Sequence, residues 1–153
     1  MAKINPDLEI IRRLRPAPTE GELHLLNFLN DNLSDDYEVY FQPFLNGDMP
    51  DIVIMRKGSG VFIIEVKDYN LDLYERGPSY WKVKTDQIPN SSQKIPSPIQ
   101  QVLRYKENLF NLHIEGLLDR KIKDFRHWGI VNCGLYFHKA STQQINDFVD
   151  DRW

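Results

Sequence analysis

Three residues in one short span could do chemistry together: Asp51, Glu65 and Lys67. Asp51 opens the apolar run Pro50-Asp51-Ile52-Val53-Ile54. Glu65 and Lys67 close a second run, Val61-Phe62-Ile63-Ile64-Glu65-Val66-Lys67. Between them lies a polar turn, Met55-Arg56-Lys57-Gly58-Ser59-Gly60, so the whole reads as a β-hairpin. If the hairpin is symmetric about Gly58, Asp51 lies across from Glu65 and Val53 across from Ile63. Cross-strand partners share a face of the sheet at roughly 4.5–5.5 Å. Glu65 and Lys67 share a face because side chains alternate along a strand. The spacing thus gathers two carboxylates and an ammonium at the open end of one hairpin. Two acids so close resist joint ionisation unless a cation lies between them. A hard divalent ion with oxygen ligands, Mg²⁺ or Mn²⁺, is the natural occupant. Alone, Glu-x-Lys on a strand is weak evidence, because acid–base alternation is common on a solvated sheet face.

Composition bounds the rest. With 153 residues the chain suits one domain with a sizeable core. Its 41% apolar and 27% charged content argues against wholesale disorder. The apolar runs are far too short to span a membrane. The start, Met1-Ala2-Lys3-Ile4-Asn5-Pro6, has no signal-peptide core. Cys133 is the only cysteine, which excludes an intrachain disulfide and a cysteine-rich zinc site. These features predict a soluble, cytoplasmic protein with no membrane partner. A net charge of −3 gives no support to indiscriminate nucleic-acid binding, but a carboxylate-rich nuclease pocket is compatible with it.

The elements that would position these groups follow from pattern. Asn5-Pro6-Asp7-Leu8-Glu9 reads as a helix start with Asn5 as cap. The cluster Arg12, Arg13, Arg15 reads as a solvated helix face, with a phosphate contact as the alternative. Pro16-Ala17-Pro18 breaks the chain. Thr19-Glu20-Gly21-Glu22 fits a capping box opening a helix over 19–33. Glu22 also falls on the stripe of Leu26, Leu29 and Leu33, the buried face. A carboxylate there needs a partner, which a cap or an ion site would supply. His24 reads as an exposed helix residue. Residues 37–42 alternate as an aromatic strand.

After Asp68, for which a turn or capping role is favoured, one or two short strands are expected over 69–84. Residues 85–98 read as a long polar loop. Tyr74, Tyr80 and Trp81 lie among Arg76, Lys82, Lys84 and Lys94. Aromatics mixed with bases suit a nucleic-acid strand, and equally an ordinary solvated sheet. Ser97-Pro98-Ile99-Gln100-Gln101 opens a long helix ending near Gly116 or Leu118. Residues 120–123 read as a basic linker, and 128–137 as one buried strand or two broken at Gly134. His113, His127 and His138 show no metal-ligand spacing. Ser141-Thr142-Gln143-Gln144 is a second capping box, with a helix through Phe148. The order of elements predicts an α/β domain with a central mixed sheet flanked by helices.

Several pieces in this order resemble a known family. Pro50-Asp51 … Glu65-Val66-Lys67 resembles the PD-(D/E)xK nuclease superfamily. Gly21-Glu22, Pro50-Asp51-Ile52-Val53, the run from Val61 to Asp68, Trp81 and Pro98-Ile99-Gln100-Gln101 together resemble its nuclease-related domain, NERD, over about 19–137. The family's Pro-x-x-Gln lands on Gln101. The resemblance implies a restriction-endonuclease-like core and Mg²⁺-assisted (or Mn²⁺-assisted) hydrolysis of DNA. It implies Asp51 and Glu65 as metal ligands with the Val66 carbonyl as an extra one, and Lys67 orienting water or offsetting phosphate charge. Glu22 would complete the acidic cluster, and Gln101 would hold water, Lys67 or phosphate. Lys82, Lys84, Lys94 and Trp81 would meet the nucleic acid.

Residues 1–18 are expected as an N-terminal helix and Pro-rich linker ahead of one domain at 19–153. The family is often fused to helicase or kinase-like domains, so a helicase or other DNA-processing domain is an expected partner; a homo-oligomer is compatible with the sequence. Two readings compete with a nuclease: a non-catalytic DNA-binding or targeting module with the same fold, and a protein-interaction domain with a vestigial site.

Overall fold

A computed structural model describes residues 1–84 and 93–148. Its centre is a mixed five-stranded sheet in the order β1-β2-β3-β4-β8. These strands are β1 (Lys3–Asn5), β2 (Tyr37–Phe41), β3 (Ile52–Arg56), β4 (Gly60–Lys67) and β8 (Val131–Phe137). The outer pairs β1–β2 and β4–β8 are parallel, and β2–β3 and β3–β4 are antiparallel. The hairpin has the expected register: Val53 faces Ile63 and Ile52 faces Ile64. Gly58 sits in its turn at φ 78°, where a side chain would be strained.

Alternation along β3 and β4 sends successive residues to opposite layers. Ile52, Ile54, Ile64 and Val66 pack with α1 (Leu8–Ile11) and α2 (Glu20–Asn32), around Ile11, Leu26 and Val39. Val53, Val61 and Ile63 pack with α3 (Pro98–Asn108), a π-turn at Leu109–His113 and α4 (Leu117–Lys123), around Val102, Phe110 and Val131. Glu65 and Lys67 therefore belong to the α3 layer, and α2 approaches from the other. A smaller sheet, β5 (Tyr74–Glu75), β6 (Tyr80–Val83) and β7 (Lys94–Pro96), adjoins the sheet end through a third core of Leu71, Trp81, Ile99 and Phe137. The last helix is α5 (Thr142–Phe148). No helix of the described residues is long and apolar enough to cross a membrane.

Several expectations are corrected. Asn5 caps no helix; it ends β1, whose Ile4 pairs with Val39, and Asp7 takes the N-cap position of α1. Residues 1–18 thus add an edge strand and the core residues Ala2, Ile4 and Ile11 to the main domain. Residues 120–123 are not a linker but the end of α4, drawn into helix by the buried Leu117. Within the expected loop, Lys94–Pro96 is β7, paired with β6; the part at 85–92 lies outside the described residues. Gly134 does not break β8, whose ladder with β4 runs through it.

Candidate active site

The capping box forms as its spacing dictates. The Glu22 backbone N–H donates to Thr19 Oγ1 at 3.2 Å, and the Thr19 N–H donates to Glu22 Oε2 at 2.6 Å. Glu22 is 5% exposed, and its second oxygen accepts from Gln42 Nε2 at 2.9 Å. Of the two partners expected, the cap is realised, and Gln42 satisfies the second oxygen of Glu22. Gln42 follows β2 at φ 43°. Its backbone N–H donates to the Asp51 carbonyl at 2.8 Å, tying the end of β2 to the start of β3. Sequence reading missed Gln42; a left-handed non-glycine residue leaves no signal in composition or periodicity.

Asp51 lies one step beyond the β3–β4 ladder, so the register carries it opposite Glu65. Its Oδ2 accepts the Val66 N–H at 2.8 Å. Val66 thus holds Asp51 through its N–H, a different group from the carbonyl expected as a metal ligand. Burial first, and then the Glu65 charge, push the Asp51 carboxyl up to about 7; Val66 and Lys67 oppose the rise and Glu22 adds slightly to it.

Glu65 is 2% exposed. Its Oε1 accepts from Lys67 Nζ at 2.7 Å, while Oε2 is buried with no hydrogen-bond partner. Burial pulls the Lys67 ammonium down, but the hydrogen bond and charge of Glu65 outweigh it and hold its pKa above the ordinary value.

The structure therefore brings Asp51, Glu65 and Lys67 together. Glu22 approaches from the α2 side and acts on Asp51 through charge. Gln101 is half-buried on α3 and donates to Tyr105 Oη at 3.1 Å. Asp68 plays the capping part expected of it, accepting from the Gly21 N–H at 3.2 Å. A Cβ at Gly21 would run into Asp68 Oδ1 and come within 2.8 Å of His138 Cβ, which explains the glycine beside Glu22.

The residues expected to meet nucleic acid divide. Trp81 is 1% exposed, stacked on Phe137 at 6.1 Å and edge-on to Phe148 at 4.8 Å. It is a core residue whose ring presents no face to a base. Lys82 and Lys94 are exposed and directly opposite one another across β6 and β7. Lys84 Nζ donates to the Asp72 carbonyl at 3.3 Å. Tyr80, next to Trp81 on β6, points the other way and is 56% exposed.

Among the described residues no group of three His, Cys, Asp or Glu side chains is arranged to hold a metal ion. His24 is exposed beside His138, at 4.9 Å between ring centroids, and His113 lies 3.5 Å from Asp48. The pair Asp51 and Glu65 nevertheless fits a hard cation. Its donors are oxygens, one of them buried and unpartnered, and the acids repel each other without a positive charge between them.

A family model described as NERD, nuclease-related domain, matches residues 17–131. No curated protein and no solved structure matches the chain.

Proposed function

The chain belongs to the nuclease-related domain family, and we propose that it is a metal-dependent nuclease that hydrolyses phosphodiester bonds of DNA at Asp51, Glu65 and Lys67. The observation that carries this reading is the buried, unpartnered Glu65 Oε2 beside an Asp51 carboxyl that burial and then the Glu65 charge drive upward. A buried carboxylate oxygen without a partner costs free energy unless a ligand completes it.

Asp51 and Glu65 would hold Mg²⁺ or Mn²⁺, with the Val66 carbonyl as a further oxygen. Bound there, the ion supplies Lewis-acid polarisation of the phosphate and a lowered pKa for water. The chain's own groups do the rest. Glu65 keeps Lys67 protonated and aimed, so the ammonium orients the attacking water or offsets charge gathering on the phosphoryl oxygens. The water oxygen bonds to phosphorus and the bond from phosphorus to one sugar oxygen breaks. Solvent takes the proton that water loses and returns one to the leaving oxygen. Val66 fixes Asp51 through its N–H, and Glu22 holds the end of α2 against Gln42 so that Asp51 keeps its place. Gln101 contributes from α3 by hydrogen bonding to the DNA.

The test is cleavage of plasmid and linear DNA in Mg²⁺ or Mn²⁺ by the wild-type chain and by Lys67→Ala. Cleavage is expected from the first and at least about 100-fold less from the second. Undiminished cleavage by Lys67→Ala would refute the assigned site. One observation favours a second reading, a non-catalytic DNA-binding module, for example in a larger helicase-type protein. Glu22 is spent on its cap and Gln42, which leaves two carboxylates at the site. Salt-sensitive DNA binding with no cleavage in either metal would establish that reading instead.

A further inference from the structure

The smaller sheet and the first turn of α3 share a groove made of three adjoining cavities. The first, about 270 Å³, is lined by Arg76, Tyr80, Lys82 and Lys94 among others. The second, about 420 Å³, continues from Arg76 and Pro78 to Ser97 and Gln100. The third, about 690 Å³, runs from Tyr80 past Ser97 and Gln100 to Gln101 and Arg104. Each cavity shares lining residues with the other two, so the groove is continuous.

Its charge is opposite to that of the chain as a whole. Net charge is −3, yet Arg76, Lys82, Lys94 and Arg104 line the groove, against Glu75 alone. None of the four is ion-paired with a described residue. Lys82 and Lys94 face each other directly across two strands, an arrangement that like charges disfavour and an anion relieves. Ser97, 1% exposed, lines two of the cavities, and its hydroxyl makes no capping bond to α3. No side-chain cap bond covers the first turn of this 11-residue helix, and Ser97 and Gln100 at its start line the groove, a setting that favours phosphate. Tyr80 stands where two of the cavities meet, with its ring 56% exposed.

We infer that this groove binds an unpaired nucleic-acid strand, with its phosphates along Arg76, Lys82, Lys94, Arg104 and Ser97 and a base stacked on Tyr80. The inference rests on the reading of the chain as a protein that acts on DNA, and it adds the form of the substrate. A ring can stack on a base only where the base is free of its duplex neighbours, so Tyr80 selects an unpaired strand. Ile99, which lines the groove, shares a core with Trp81 and with Phe137, the cross-strand partner of Lys67. Tyr69 packs against that core, stacked on Tyr74 at 4.7 Å, with Lys67 Nζ 5.9 Å from its ring centroid.

The test is fluorescence anisotropy of a labelled oligodeoxythymidylate and of a duplex of equal length, with chelator present so that cleavage plays no part. The single strand is expected to bind more tightly than the duplex. Tyr80→Ala is expected to weaken it about tenfold or more. Lys82→Gln with Lys94→Gln should lower the slope of log affinity against log salt by about 1.4, at about 0.7 for each phosphate that the variant no longer neutralises. All these residues are exposed, so unchanged melting curves will confirm folding. Equal or tighter duplex binding, no binding of the oligonucleotide, or full affinity in both Tyr80→Ala and Arg104→Gln overturns the inference. The nuclease reading is judged separately by cleavage in Lys67→Ala. Loss of the groove leaves that result standing, and loss of cleavage leaves the binding result standing.

Discussion

Replacing Asp51 by Asn should stabilise the metal-free protein while abolishing cleavage. The folded protein holds the Asp51 carboxyl near 7 against an ordinary 3.8, because burial and Glu65 penalise its charge. Between those values the folded state binds more protons than the unfolded state, so stability falls as pH rises. The penalty is absent below about pH 4 and complete above about pH 7. A rise of about three pH units corresponds to about 4 kcal/mol. Asp51 is half-buried, and solvent screening reduces this to about 2 kcal/mol. Asparagine carries no charge, and its oxygen still accepts the Val66 N–H. For a chain of this size about 2 kcal/mol raises Tm by roughly 4–8 °C.

The assay is thermal unfolding of wild type and Asp51→Asn from pH 5 to 8.5 in chelator. The gap in Tm should open with rising pH, level off above about pH 7, and at pH 5 be roughly a third of its full size. Added Mn²⁺ should raise the Tm of wild type and leave that of Asp51→Asn nearly unchanged, since ligand binding stabilises only the form that binds. A gap of constant size, or a variant less stable than wild type at pH 8, would refute the argument that carboxylate repulsion is stored at this end of the sheet.

Two further outcomes follow from neighbouring contacts. Glu22→Ala removes the return bond of the capping box and the Gln42 contact, and should cost about 1–2 kcal/mol in chemical denaturation; Glu22→Gln should recover most of that, and its cleavage rate then reports whether the charge itself matters. Trp81→Ala should cost about 3–5 kcal/mol in the same measurement, because the ring fills the core between Phe137 and Phe148; a stable Trp81→Ala chain with weakened DNA binding would return the ring to the surface role its composition suggested.

What was legible in the sequence was local or periodic. The symmetric hairpin gave Asp51 opposite Glu65 because a short turn leaves one favourable register. The boxes at Thr19 and Ser141 formed because both partners lie within one turn of helix. What failed depended on partners far along the chain. Lys3–Asn5 becomes a strand because Ile4 finds Val39, and Lys94–Pro96 because it finds β6. Neither short segment carries a strand signal of its own. The nucleic-acid reading of Trp81 failed for another reason. Aromatic and basic composition says nothing about faces, and the alternation that buries Trp81 is the one that turns Tyr80 and Lys82 outward.

The same physical distinction assigns roles that spacing left open. Glu22 and Glu65 are both buried carboxylates, but their surroundings differ. Each oxygen of Glu22 has a partner within hydrogen-bond range, so the fold needs no ligand to keep it there. Glu65 has Lys67 on one oxygen and nothing on the other, and Asp51 has one N–H and a repelling neighbour. A chain selected for stability alone would pair these groups or replace them with apolar residues, because under-satisfied buried charge costs several kcal/mol. Strain retained at one end of an otherwise consistent sheet points to a ligand that relieves it. In the nuclease proposal Glu22, satisfied on both oxygens, serves the scaffold, which the Glu22→Gln cleavage rate tests. In the proposed nuclease, Asp51, repelled by its neighbour, and Glu65, with one buried unpartnered oxygen, would hold the cation.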